Sequence, residues 1–208
     1  MKTIEINYNK EKAKLKRLIP ETYKLLKNYN CYIAGGAITS LFTGKEINDI
    51  DVYFKNKSEL FDLLYREFEG QYIIYVTKKA ITFKLNDNET VQFVYMNYYD
   101  TAKDIFKDFD FTVNMGAFDI QKDKFVLCED FLKDNIQKKL VVNTNTAYPL
   151  VTATRILKYQ LKGYSIDVFE LIKLTLTINK LNINSYKKLE EQLGRNVWRK
   201  YFKINKRG

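Results

Sequence analysis

The chain has no histidine, only two cysteines and only two prolines in its 208 residues. Without imidazole there can be no Ser-His-Asp triad, no Cys-His pair, no histidine general base and no His-ligated metal. Any hydrolytic or transfer chemistry must then use carboxylates, lysines, arginines, hydroxyls or a hard metal ion on oxygen ligands. Cys31 and Cys128 lie far apart in apolar surroundings, which suits reduced, buried thiols better than a disulfide or a zinc site. With eight glycines and two prolines there is no Pro/Gly/Ser linker, and no repeat period or low-complexity tract appears. The apolar run of roughly 18 residues that a membrane-spanning helix needs is missing, as is a signal peptide's apolar core in "MKTIEINYNKEKAKLKRL". The expected location is the cytoplasm, with no membrane partner.

What is present argues for a folded protein. Hydrophobic residues make up 46% of the chain and aromatics 15%, enough for one sizeable domain or a domain with a short helical appendage. The formal net charge of +10 favours polyanionic partners, nucleic acid or nucleotide phosphates, although a lysine-rich surface from an A/T-rich genome would carry the same charge.

Residues 10–28 read as helical, with Pro20 starting a second helix. "CYIAGG" is a short buried strand ended by glycines, and "AITSLFTG" a helix stopped by Gly44. "INDIDVYF" alternates as a strand. Asn56 and Glu59 have the spacing of a capping box that opens "KSELFDLLYREF". Three strands, "QYIIYVT", "AITFKLN" and "TVQFVYMN", form an antiparallel meander. A short helix "TAKDIFKDF", a hairpin of "FTVNMGAFDI" and "KFVLC", and a helix "EDFLKDNIQKK" follow. From Tyr148 onward the pattern is helical, in segments that include "SYKKLEEQLG" and the basic end "RNVWRKYFKINKRG". The reading is α+β, with an α/β head over 1–146 and a helical region with a basic tail over 147–208.

Asp49 and Asp51 stand two apart in a strand, so both side chains leave one face while Ile50 and Val52 enter the core. Adjacent carboxylates raise each other's pKa unless a cation lies between them, and Mg²⁺ or Mn²⁺, typically held by one or two carboxylates plus substrate phosphates, would resolve the conflict. A solvated edge strand is the plainer reading of a bare D-x-D. Gly35 and Gly36 lie between a strand and a helix, where backbone N–H groups can approach phosphate oxygens. The whole unit is strand, glycine pair, helix and strand with D-x-D, and it would bring phosphate donors and metal ligands to one sheet edge.

This unit resembles the nucleotidyltransferase superfamily. It is most similar to the head domain of class II CCA-adding enzymes and bacterial poly(A) polymerases, whose first motif runs "GGxVRDxLLG" and then "DxD". Gly35, Gly36, Leu41, Gly44, Asp49 and Asp51 fall on that pattern. "DFDFTVNMGAFD" matches a second block, "RRDFTINAxAYD", at Asp110, Phe111, Thr112, Asn114 and Asp119. "RILKYQLKGYSID" looks like a shortened third block. The chain is also similar to short phage-encoded nucleotidyltransferase-like proteins with the same "DIDVxF" and "FDFT" blocks, which suggests a viral origin. The resemblance implies a polymerase-beta-like fold with a mixed, largely antiparallel sheet flanked by helices. It implies an NTP substrate, a divalent metal on Asp49 and Asp51, and nucleotide contacts from Gly35, Gly36, Ser40, Gln92, Asn114, Arg155 and Lys158.

The departures matter equally. The family's third carboxylate falls at Gln92, which can neither act as a general base nor hold a metal as an acid would. Asp110 is the obvious substitute, and an N-cap or strand-end acid is its plainer reading. The arginines before "DFT" are Asp108 and Phe109, and the "RD" after the glycines is Thr39-Ser40. No base-selecting acid accompanies Arg155, so choice of CTP and ATP is not supported. Arg155, Lys158 and Lys162 share one helix face that could hold a triphosphate or an RNA backbone. Solvent would otherwise cover that face while Ile156, Leu157 and Leu161 supply the core side. In the tail, Trp198, Tyr201 and Phe202 alternate with Arg195, Arg199 and Lys200, a composition suited to nucleic acid or to a docked terminal helix.

Three readings of function follow. One is a metal-dependent nucleotidyltransferase, with Asp49, Asp51 and Asp110 as catalytic residues and RNA as the expected acceptor. Another is a catalytically impaired relative acting as an inhibitor or as a nucleic-acid or protein-binding module, for instance against a host protein. A basic nucleic-acid-binding domain working through its C-terminal helices is a third, plainer reading.

Overall fold

The computed structural model describes residues 1–68, 73 and 75–201, with backbone only for 194–201. A single mixed sheet organises the chain. Its strands are β1 (Thr3–Ile6), β2 (Cys31–Ala34), β3 (Asp49–Phe54), β4 (Tyr75–Val76), β5 (Ala80–Asn86), β6 (Glu89–Val94), β7 (Gly116–Asp119) and β8 (Lys124–Cys128). They lie in the order β1-β8-β7-β2-β3-β6-β5-β4. Every pairing is antiparallel except β3 with β6, so the expected mixed, largely antiparallel sheet is present. The helices are α1 (Asn9–Leu18), α2 (Pro20–Leu26), α3 (Gly36–Thr43), α4 (Lys57–Glu67), α5 (Ala102–Lys107), α6 (Phe131–Gln137), α7 (Pro149–Gln160), α8 (Val168–Asn179) and α9 (Tyr186–Tyr201).

Local chemistry accounts for the boundaries. Pro20 occupies the first turn of α2, where its missing N–H costs no helical bond. Glu89, buried in β6, accepts hydrogen bonds from the Thr22 amide at 2.7 Å and the Glu21 amide at 3.2 Å, so a sheet carboxylate satisfies two otherwise orphaned N–H groups of α2. Asn56 caps α4 through the Glu59 amide. Glu59 does not return the bond; its carboxylate instead accepts from Asn30 N and Nδ2 at 3.1 and 2.6 Å, which ties α4 to the start of β2.

One apolar core fills the space between sheet and helices, centred on Phe54, Phe93, Phe106, Phe118, Phe125 and Phe131. A second, smaller cluster joins Phe111, Val113, Leu140 and Val142 to Ile156, Tyr164 and Leu174, so α7 and α8 rest on the segment that carries Asp110.

Several expectations change. β1 has no counterpart in the sequence reading: its four residues are only partly covered, so its alternation is weak, and pairing with β8 forms it. The expected strand over "FTVNMGAFDI" begins with a 3₁₀ turn at Thr112–Asn114 before β7. Of the strand expected in "QYIIYVT", Tyr75–Val76 is present, while residues 71, 72 and 74 lie outside the described residues. The terminal helical segments are one helix, with α9 running through position 194. Leu157 and Leu161 are not core residues; they are 67% and 91% exposed. The buried side of α7 is Pro149, Thr152 and Ile156, because the polar Thr152 turns inward to meet a buried carboxylate.

Candidate active site

Asp49 and Asp51 stand on β3, whose burial alternates so that Ile50 and Val52 are buried beneath them. Both aspartates line a cleft of about 1020 Å³, as large as small-molecule sites usually are. Burial, then the neighbouring Asp49 charge, pushes the Asp51 carboxyl up to about 6 against the pull of Arg155 and Lys158. Burial is thus the larger cause and the neighbouring carboxylate the smaller, and a cation between the two side chains is the group that would relieve both. The donor set, two hard carboxylates in a cleft that also holds cationic side chains, fits Mg²⁺ or Mn²⁺ shared with a phosphate. Among the described residues no group of three or more His, Cys, Asp or Glu side chains has the arrangement to hold a metal without further ligands.

The glycine pair divides its work. Gly35 has φ of 79° and its amide donates to the Gly116 carbonyl at 3.0 Å. A Cβ there would also meet the Phe109 ring at 3.4 Å. Its contribution is thus conformational, and its N–H is committed. Gly36 opens α3 with free space where a Cβ would stand, and it lines the cleft with Ser40. Thr39 donates to the Val113 carbonyl at 2.8 Å and fixes α3 to the second motif.

Gln92 pairs in register with Asp51 across the parallel β3–β6 ladder and lines the same cleft. The position of the family's third acid is therefore occupied by a neutral amide beside Asp51. Asp110 is buried, and its carboxylate accepts from Arg155 on one oxygen and from the Thr152 hydroxyl on the other. It anchors α7 rather than presenting free oxygens. Asn114 pairs with the Tyr159 hydroxyl, with contacts of 2.5 and 2.7 Å, and so also joins the second motif to α7.

Where the family has arginines, Asp108 accepts from the Tyr99 hydroxyl at 2.6 Å. Phe109 packs edge-on to Tyr53, with ring centroids 6.0 Å apart. These substitutions build an aromatic floor of Tyr53, Tyr99 and Phe109 instead of a cationic one.

Arg155 and Lys158 line the cleft from α7, and Lys162 lines it from the turn after that helix, which ends at Gln160 rather than carrying all three on one face. Lys79, between β4 and β5, also lines the cleft with its Nζ 4.4 Å from the centre of the Tyr148 ring. Burial, followed by repulsion from Arg155, lowers its pKa. Nothing local in the sequence marks Lys79, because the meander and α7 bring it there. Tyr53 was legible, since it continues the alternation of Asp49 and Asp51. The side chains of Arg195, Trp198, Arg199 and Lys200 lie outside the described residues; their backbone belongs to α9.

Comparison with known proteins gives two kinds of likeness. The model of a family described as Gad2, Gabija anti-defense 2 family protein, matches residues 6–138. Gabija anti-defense 2 of Bacillus phage SPbetaL7 is 41% identical over 191 residues, covering 91% of this chain and 48% of that protein. The chain thus spans about half the length of this relative. Among solved structures, a CCA-adding enzyme in complex with ATP superposes with a TM-score of 0.69 at 17% identity, over 92% of this chain and 51% of that one. The Thermotoga maritima CCA-adding enzyme complexed with tRNA gives 0.68 at 18% identity, over 95% and 51%. At such identities the likeness is one of fold, and it is the nucleotidyltransferase fold that the motifs led us to expect.

Proposed function

The chain belongs to the Gabija anti-defense 2 family, and from that premise we propose that it is a phage nucleotidyltransferase that transfers a nucleoside monophosphate from an NTP to a hydroxyl acceptor, with RNA as the acceptor. The observation that carries this reading is the Asp49/Asp51 pair in a cleft that Arg155 and Lys158 also line, close enough to act on the Asp51 charge. Asp49 and Asp51 are the residues that would hold a divalent cation, which when bound supplies charge neutralisation for the triphosphate. Gly36 N–H and the Ser40 hydroxyl would contact phosphate, and Lys158 would draw the triphosphate toward α7. Arg155, held by Asp110, keeps exposed donors for the same group. In the transfer itself an acceptor oxygen bonds to the α-phosphorus, the bond from that phosphorus to the bridging oxygen breaks, pyrophosphate leaves, and the hydroxyl proton passes to solvent. In-line positioning and charge stabilisation carry such a step, with little demand on a general base.

The test is transfer of label from α-labelled NTPs to RNA in the presence of Mg²⁺. Transfer abolished in Asp49→Ala is the expected result, and no transfer from any NTP to any RNA would overturn the reading.

A second reading has its own observation. Gln92 beside Asp51 and the engagement of Asp110 by Arg155 and Thr152 leave two free carboxylates where the fold's enzymes, by resemblance, use three. On this reading the cleft binds nucleotide without turning it over, and the protein acts by sequestering a ligand or a host protein. Phage plating on host cells carrying the Gabija defence separates the two. Under the transfer reading Asp49→Ala loses protection of the phage, and Gln92→Asp keeps or raises it. Under the binding reading Asp49→Ala still protects wherever the partner is a protein. The host cytoplasm is the proposed site of action in both cases.

A further inference from the structure

A second, smaller cavity of about 40 Å³ opens off the cleft and shares Gly36, Ser40, Tyr159 and Lys162 with it. Two lysines from different loops, Lys45 and Lys162, line it, and Lys138 stands beside it over the Tyr164 ring. Lys45 follows the end of α3, Lys138 ends α6 in a left-handed conformation with φ of 53°, and Lys162 follows α7. The Nζ atoms of Lys45 and Lys138 lie 5.9 and 4.7 Å from the centre of the Tyr164 ring. That of Lys162 is 5.8 Å from the Tyr159 ring. The two tyrosines meet edge to face at 5.5 Å, and the Tyr164 hydroxyl donates to buried Asn135 at 2.7 Å, so the platform is fixed.

Among the described residues none of these lysines has a carboxylate within ion-pair distance, whereas elsewhere Lys12 and Lys16 share Asp123. Burial, then repulsion from Lys45, lowers the pKa of Lys138. Burial, then repulsion from Lys158 and Lys45, lowers that of Lys162. Like charges are gathered here too, now positive, and with no carboxylate within ion-pair distance among the described residues.

We propose that Lys45, Lys138 and Lys162 form a phosphodiester-binding subsite that seats the backbone of a single-stranded RNA whose end enters the cleft. The direction of the strand rests on the nucleotidyl-transfer reading; the site itself does not. Buried Tyr164 fixes the lysines from beneath, and the partly exposed Tyr159 lies beside the strand. Lys158, which acts electrostatically on both Asp51 and Lys162, links the subsite to the aspartates.

The experiment is fluorescence anisotropy of a short labelled single-stranded RNA across a salt series, with wild type and Lys45→Gln/Lys138→Gln. Mg²⁺-NTP thermal shifts are read in parallel. The expected result is weaker RNA binding and a logarithmic salt slope shallower by about 0.7 for each lost phosphate contact, about 1.4 for the pair, with the NTP shift unchanged. Unaltered RNA affinity and slope in the double variant would overturn the proposal. So would an equal loss on Lys10→Gln/Lys124→Gln, which lie outside both cavities, or an equal loss of NTP binding, which would make the lysines a triphosphate site. If NTP shifts are absent from wild type while the lysine-dependent RNA binding persists, the transfer reading fails and the subsite stands.

Discussion

Asp51 has a folded-state pKa of about 6, above its ordinary 3.8. The folded protein therefore binds this proton more tightly than the unfolded chain does, and ionised Asp51 penalises the fold at higher pH. The penalty is complete above about pH 6 and fades as pH falls toward 3.8. We expect Asp51→Asn to raise the metal-free melting temperature at pH 7 by several degrees, for a gain on the order of 1–3 kcal/mol, with no gain near pH 4. Mg²⁺ should stabilise the wild type and not this variant, and scanning calorimetry at the two pH values checks both. Both oxygens of the Asp110 carboxylate have partners. Asp110→Ala leaves Arg155 without its carboxylate and Thr152 with only the Tyr148 carbonyl at 3.3 Å, and should cost about 2–4 kcal/mol in urea unfolding.

At the scale of elements, the strand-to-helix turn before α3 makes two neighbouring glycines unequal. Gly35→Ala puts a side chain at a φ of 79° against Phe109 and should destabilise by at least about 1 kcal/mol. Gly36→Ala meets open space and should leave stability unchanged or raise it by up to about 1 kcal/mol, while weakening the Mg²⁺-NTP thermal shift by crowding the backbone amide. Helix α7 offers a second contrast. Ile156→Ala, in the smaller core cluster, should cost about 2–4 kcal/mol, and Leu161→Ala, 91% exposed, close to nothing. Equilibrium unfolding of the pair would show which side of this helix carries the packing.

For the whole molecule, the division at residue 146 is a proposal with a direct test. The smaller cluster takes Phe111 and Val142 from one side of that division and Ile156, Tyr164 and Leu174 from the other. Across it, Glu170 also accepts from the Val142 amide at 2.7 Å. A fragment of residues 1–146 would expose Phe111 and leave Asp110 without partners. It should therefore melt well below the full chain or lose its cooperative transition, as near-UV circular dichroism would reveal. The same seam forms one wall of the cleft, so nucleotide binding should be lost with it.

The amino-acid sequence by itself determined the mixed sheet, the strand, glycine-pair, helix and strand unit, and the placing of Asp49 and Asp51 on one face of β3. The unit and the aspartate pair follow from local rules, alternation with period two and glycine at a turn, while the mixed sheet followed from the resemblance that the motifs carry. Its order of motifs also located Gln92 as the missing acid, which the β3–β6 register then set opposite Asp51. Only the tertiary structure decided which side of α7 faces inward, because Ile156, Leu157 and Leu161 offer one apolar face and Pro149, Thr152 and Ile156 another. The buried Asp110 selects the second, since a carboxylate removed from water must find donors. Only the fold could gather Lys45, Lys138 and Lys162, which are distant in sequence and unremarkable in a lysine-rich chain. Their charge gains meaning from convergence with no carboxylate within ion-pair distance among the described residues, and convergence is a property of the packed molecule.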